Sequence, residues 1–187
     1  MITKELISKL YPLGATTEAN WLRYCREKRD AVLHIKERDP HLERVAELGV
    51  HAGYGGHTIA ESAEAKEYTG WDILPIDSPP IQHAVELIRR VCSCVGIRHA
   101  DTQELTGLYA GPFDLVHVDA GHLPKQCFHD MVLAAEALRS GGWLIVDDHN
   151  AEIVATGVRM WRRRYKNRIV YEHTTGGITG NYIVQLT

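Results

Sequence analysis

Two short apolar runs in this chain each end in aspartate. Phe113-Asp-Leu-Val-His-Val-Asp119 is the first, and Gly141-Gly-Trp-Leu-Ile-Val-Asp147-Asp148 follows about thirty residues later. Runs this short and this apolar fit strands buried on both faces of a parallel sheet. Open α/β sheets bind ligands at the carboxyl ends of their strands. If these two strands are neighbours, Asp119, Asp147 and Asp148 converge on one rim, because adjacent strands lie about 4.8 Å apart. Carboxylates that close repel one another unless a cation or a proton joins them. The fold must therefore supply both an alternating framework and a charge partner for that rim.

The rest of the chain supplies the alternation. Arg44-Val-Ala-Glu-Leu-Gly49 reads as a first strand, followed by a glycine-rich turn to Gly56 and a helix from His57 to Lys66. Tyr68–Asp72 is a second strand. Pro79-Pro80 opens a helix, where proline fits the first turn, and Ile81, Ala84, Val85, Ile88 and Val91 keep helical spacing. Cys94–His99 is a third strand and Thr102–Leu108 a short helix. Beyond the fourth strand, Pro124–Arg139 is helical, and Gly141-Gly142 ends it as a C-cap would. Trp143–Val146 is the fifth strand, and Val154, Val158, Trp161 and Tyr165 mark the buried stripe of the next helix. Arg168–Tyr171 and Asn181–Leu186 read as a terminal hairpin. The expectation is an α/β Rossmann-like three-layer sandwich: a seven-stranded, mainly parallel sheet with a C-terminal antiparallel hairpin. It forms one domain over 1–187, with a helical cap at 1–40 and the core at 43–187. In the cap, Leu22, Cys25, Val32 and Leu33 form a loose inner face.

At 187 residues the chain can bury a sizeable core, and a net charge of −3 gives no global attraction to nucleic acid or membrane. No apolar run approaches the roughly 18 residues of a membrane span, and the N-terminus lacks a signal-peptide core. The reading is cytoplasmic. The four cysteines form no C-x-x-C pair and read as plain thiols. Six basic residues between Arg159 and Arg168 read as the solvated face of a helix, not as a nucleic-acid contact.

The first strand runs into Glu47-Leu-Gly49-Val-His51-Ala-Gly53. Glycines there let a ligand lie against the backbone, and the following helix offers free N–H groups. Asp72, about twenty residues on, suits a ribose diol. The dinucleotide fingerprint G-x-G-x-x-G is met only in part, by Gly53-Tyr-Gly55-Gly-His-Thr58, and it falls too far past the strand.

The pattern in register is E-x-G-x-x-x-G, with Glu47, Gly49 and Gly53, and it resembles motif I of class I S-adenosylmethionine (SAM)-dependent methyltransferases. His51 stands where that family usually has its middle glycine. The resemblance extends to Asp72 as the ribose acid, to Asp101-Thr102 beside the adenine, and to Phe113–Asp119 as motif IV. It covers roughly residues 43–187. It implies that Glu47, Gly49, His51, Gly53, Asp72, Asp101, Thr102 and Asp119 hold SAM.

Within that superfamily, Val118-Asp119-Ala-Gly-His122 with Val146-Asp147-Asp148 is similar to small-molecule O-methyltransferases of the catechol, caffeoyl-CoA, macrolide-sugar and cephalosporin-hydroxylase-like groups. The resemblance implies that Asp119, Asp147 and Asp148 bind a divalent cation, usually Mg2+, which suits hard oxygen ligands. The metal would position an acceptor hydroxyl and lower its pKa. His122 stands where the catechol-type enzymes carry a catalytic lysine and would be the base, with His149 a weaker candidate. The expected activity is transfer of a methyl group from SAM to a hydroxyl of a small molecule. Two alternatives are a metal-independent class I methyltransferase and a non-catalytic nucleoside- or SAM-binding protein. A cap this short often accompanies dimers that complete the pocket in trans, so a homodimer is an expectation too.

Overall fold

The computed structural model describes residues 18–187. Expectations for residues 1–17 of the cap lie outside them. The described residues begin with helix α1 (Glu18–Lys36). There follow β1 (Arg44–Leu48), α2 (Tyr54–Ala63), β2 (Glu67–Asp72), α3 (Pro79–Ile88) and β3 (Cys94–His99). Then come β4 (Phe113–Val118), α4 (Pro124–Ala137), β5 (Leu138–Val146), α5 (Glu152–Tyr165), β6 (Ile169–Thr174) and β7 (Tyr182–Leu186). A single 3-10 turn at Thr102–Glu104 replaces the short helix expected there.

All seven strands form one sheet in the order β3-β2-β1-β4-β5-β7-β6. The first five are parallel, and β7 runs antiparallel between β5 and β6. The chain order reverses between β1 and β4, so the crevice between their carboxyl ends is the switch point where such sheets bind ligands.

Side chains alternate across a strand, which sorts the core into two layers. Leu48, Val118 and Val146 join Met131, Val158 and Trp161 on the side covered by α4 and α5. Val45, Leu115, Trp143 and Ile145 join Val32, Ile35 and Ile59 on the other side.

Several boundaries differ from the sequence reading. Helix α2 starts at Tyr54, so Gly55 and Gly56 are its first turn and not a loop. Without side chains they let the helix settle onto Glu47 and Tyr68; a Cβ on Gly56 would lie 2.4 Å from the Tyr68 hydroxyl. Strand β5 starts at Leu138, which pairs with Phe113. Gly141-Gly142 therefore lies inside the strand as an irregularity rather than capping α4. In α1 the inner face is Cys25, Lys28, Ala31, Val32 and Ile35, while Leu33 is exposed. The basic face of α5 is solvated as expected, with Arg159 paired to Glu152 and Arg162 to Glu172.

Candidate active site

A cavity of about 590 Å³ opens at the carboxyl ends of β1, β2 and β4. Glu47, Gly49, His51, Gly53, Asp72, Asp101, Thr102 and Asp119 all line it, together with Tyr24, Asp148, Ile178 and Thr179. Gly49 has a φ of +87°, and a Cβ there would sit 2.2 Å from the Asp119 carbonyl oxygen. Only glycine lets the ends of β1 and β4 approach so closely. His51 also takes a left-handed conformation, at φ +47°. That turn aims its N–H at Asp72 Oδ2, 2.7 Å away, while the Leu74 N–H donates to Oδ1 at 2.8 Å. Each carboxylate oxygen can accept more than one donor, so Asp72 is oriented without being used up.

On the far side, Asp101 caps the Thr102 turn by accepting the Gln103 N–H at 2.9 Å. The Gln103 side chain donates to Asp130, which also accepts the Gly121 N–H at 2.9 Å. One buried carboxylate thus ties the turn after β3 to the loop after β4.

The rim is built by strand parity. Glu47 faces His117 across the β1–β4 ladder, and His117 faces Ile145 across β4–β5. Asp119 and Asp147 lie two residues further along the same strands. Asp147 is drawn to α1, on the same side of the sheet as His117. Helix α1 brings Lys28 there, 1% exposed, with its Nζ 2.5 Å from Asp147 Oδ2, 3.7 Å from Asp119 Oδ2 and 3.2 Å from His117 Nε2. Tyr24 donates its hydroxyl to Asp119, and its ring lies 3.7 Å under the ammonium. The ammonium has only donors, so His117 Nε2 must accept, and the imidazole proton sits on Nδ1, 2.8 Å from Glu47 Oε1. Burial holds His117 neutral, well below its usual pKa, and pushes the Glu47 carboxyl up to about 8. Burial raises the Asp147 pKa, but Lys28, His117 and the Thr179 hydroxyl together outweigh it and hold the carboxyl below its usual range. Burial raises Asp119, with Asp147 and Asp148 adding to the effect against Lys28.

The three predicted metal-binding aspartates therefore do not share one environment. Asp147 is turned inward onto Lys28 and the Thr179 hydroxyl, 2.9 Å away. Asp148, in a left-handed turn at φ +55°, faces His122, whose Nε2 lies 2.8 Å from its Oδ2 and 3.8 Å from Asp119 Oδ1. The bond to Asp148 raises the His122 pKa to about 9, so at neutral pH the ring is an imidazolium. The sign is that of a raised histidine: the stabilisation is full below about 6.5, its unfolded value, and is lost as pH rises through about 9. An NMR titration of the His122 ring is expected to show this raised midpoint, and Asp148→Asn to bring it down toward the free value. His149 stacks on Tyr182 with ring centroids 5.5 Å apart, and burial lowers its pKa.

The helical cap expected over residues 1–40 includes α1, but its site residues were not among the expected ones. Besides Tyr24 and Lys28, Glu27 accepts the Ile178 N–H at 2.6 Å and the Thr179 hydroxyl at 3.0 Å. It anchors the β6–β7 loop over the cavity. The available signal was Lys28 itself, a charge set between Cys25 and Val32 in the apolar stripe of a helix.

A family profile described as a methyltransferase domain matches residues 46–149. The chain belongs to that family, and its fold is that of class I SAM-dependent methyltransferases. No curated protein gives a significant match. Among solved structures, an O-methyltransferase from Bacillus cereus in complex with SAH is 14% identical at a TM-score of 0.71, over 98% of this chain and 89% of that one. The N-methyltransferase NodS from Bradyrhizobium japonicum is 19% identical at 0.63, over 86% and 94%. TomG, an O-methyltransferase of tomaymycin synthesis from Streptomyces achromogenes in complex with SAM, is 17% identical at 0.57, over all of both chains.

Proposed function

We propose that this protein transfers the methyl group of SAM to a hydroxyl of a small molecule, with a divalent cation assisting at the rim. One observation carries this reading: a single cavity is bounded by Asp72 and Asp101 at one end and by Asp119 and Asp148 at the other. Asp72 would accept the ribose diol, the Gly49–Gly53 backbone would line the methionine part, and Asp101 with Thr102 would meet the adenine edge. SAM supplies a methyl on a sulfonium, which leaves without protonation. The protein then has to orient the acceptor and take its proton.

Asp119, Asp148 and His122 are the groups that meet the acceptor oxygen. Their ligand atoms lie within 4.8 Å of one another, and two carboxylates with an imidazole fit a divalent cation. The imidazole suits Mn2+ at least as well as Mg2+. Such a cation would lower the pKa of the acceptor hydroxyl. As a ligand of that cation His122 would be neutral, its own proton lost to solvent, and the acceptor's proton would pass to solvent. Without a cation the ring, once neutral, would be the base that takes it. Oxygen is favoured over nitrogen because β4 leads into Asp119-Ala-Gly-His122 and carries no Asn/Asp-Pro-Pro-Tyr motif. A metal-independent course draws on Lys28, which already lends a positive charge to Asp119.

Turnover of SAM with a panel of phenols, catechols and hydroxylated sugars, with and without EDTA, tests the proposal. Activity is expected on hydroxyl acceptors, falling at least about tenfold with EDTA and recovering with Mn2+ or Mg2+. Turnover indifferent to EDTA would leave the metal-independent course. No turnover on any hydroxyl would count against O-methylation.

A further inference from the structure

We propose that Lys28 is the fixed cation of the acidic rim: it occupies the place among His117, Asp119 and Asp147 that a divalent ion would otherwise take. It thereby confines any exchangeable cation to Asp119, Asp148 and His122. The proposal deepens the reading of the rim as the acceptor site, and rests on that reading only for what the rim receives.

Two triads of ligand atoms occur at this rim among the described residues. One is Asp119, His122 and Asp148; the other is His117, Asp119 and Asp147, each set lying within 4.8 Å. The second set is filled by the Lys28 ammonium. It donates to Asp147 Oδ2 at 2.5 Å and to His117 Nε2 at 3.2 Å, with Asp119 Oδ2 at 3.7 Å. These are the lone pairs a metal would need. Of its three N–H groups two are hydrogen-bonded, to Asp147 and His117. The ammonium also lies 3.7 Å from the Tyr24 ring centroid and is drawn to Asp119 as an ion pair.

Lys28 is also placed to act as a positioning residue. Through His117 its hydrogen bonds reach Glu47 beneath the glycine turn, and through Asp147 they reach Thr179 in the loop over the cavity. One tethered charge thus holds the cofactor wall, the acceptor rim and the β6–β7 loop in register.

If the ammonium stands in for an ion, an ion should replace the ammonium. Lys28→Met and Lys28→Ser each leave the His117–Asp119–Asp147 set open. Both are expected to gain roughly 5–10 °C in Tm at a Mn2+ concentration about 100-fold above Kd, beyond any gain shown by the wild type. Adding Asp147→Leu to Lys28→Met should abolish that extra gain. A purely structural lysine would give no metal-dependent difference. Equal Mn2+ responses in wild type, Lys28→Met and Lys28→Ser would overturn the proposal. So would failure of Mn2+ to recover either variant in a folded form. Isothermal titration of the wild type with SAM separates the two levels: loss of SAM binding there would sink the functional reading and leave the Lys28 result standing.

Discussion

Replacing Lys28 with methionine is expected to lower folding stability by about 3–5 kcal/mol in the absence of added metal. For a chain of this size that is a fall in Tm of roughly 6–20 °C. Both side chains of the Lys28–Asp147 pair are 1% exposed, so the variant leaves a buried carboxylate with no counter-charge. It also leaves His117 Nε2 facing no donor. The effect comes from the orphaned partner more than from the pair's own strength, since buried ion pairs often do little better than a well-packed apolar pair. The double variant Lys28→Met/Asp147→Leu should therefore recover most of the loss. Arg159→Ala breaks a solvated pair with Glu152 on α5 and should change stability by less than about 1 kcal/mol. Urea unfolding of the four proteins decides the matter. A Lys28→Met midpoint matching that of Arg159→Ala would refute the buried-cation assignment.

The second large effect is expected at Gly49. An alanine there must hold φ near +87°, which costs an L-residue about 1–2 kcal/mol. Its Cβ must also clear the Asp119 carbonyl, 2.2 Å away, and the Ala120 Cα at 2.9 Å. Relief requires the ends of β1 and β4 to part. A total loss above about 3 kcal/mol follows, with weakened SAM binding because the same turn lines the cavity. Gly96→Ala in β3 is the control. Nothing lies within 4 Å of its Cβ position, so its stability should stay within about 0.5 kcal/mol of wild type. Thermal melts and SAM titrations of both variants read the two effects together.

Much of this site could be read in the chain because its backbone logic is local. Glu47, Gly49 and Gly53 follow one strand, Asp72 ends the next, and Asp119 ends the fourth, so a parallel sheet brings them to one rim. What could not be read directly was the charge partner of that rim. Three carboxylates at strand ends demanded a cation, and an external metal was the expectation for all three. The structure supplies Lys28 from a helix remote in sequence, because α1 packs on the face of the sheet that carries Glu47 and His117. Strand parity places those two side chains on one face, yet it cannot say which helix covers them. Asp147 and Asp148 diverge for a related reason. Adjacent residues leave a strand in opposite directions, and the left-handed turn at Asp148 completes the separation.

The boundary errors have a common cause as well. Gly55-Gly56 and Gly141-Gly142 were read as turn and cap, the usual sense of paired glycines. In the fold the first pair makes room for Glu47 and Tyr68 under α2, and the second accommodates an irregular entry into β5. Close approach is what Gly55, Gly56 and Gly142 serve, while Gly141 supplies a left-handed residue at φ +77°.

The most direct measurement is transfer of an isotopically labelled methyl group from SAM to the best hydroxylated acceptor, with the labelled atom located in the product by NMR. The label is expected on oxygen, and transfer should fall at least about 100-fold in Asp119→Asn while SAM still binds. Label on nitrogen, or an Asp119→Asn variant turning over at the wild-type rate, would contradict an acceptor site at the acidic rim.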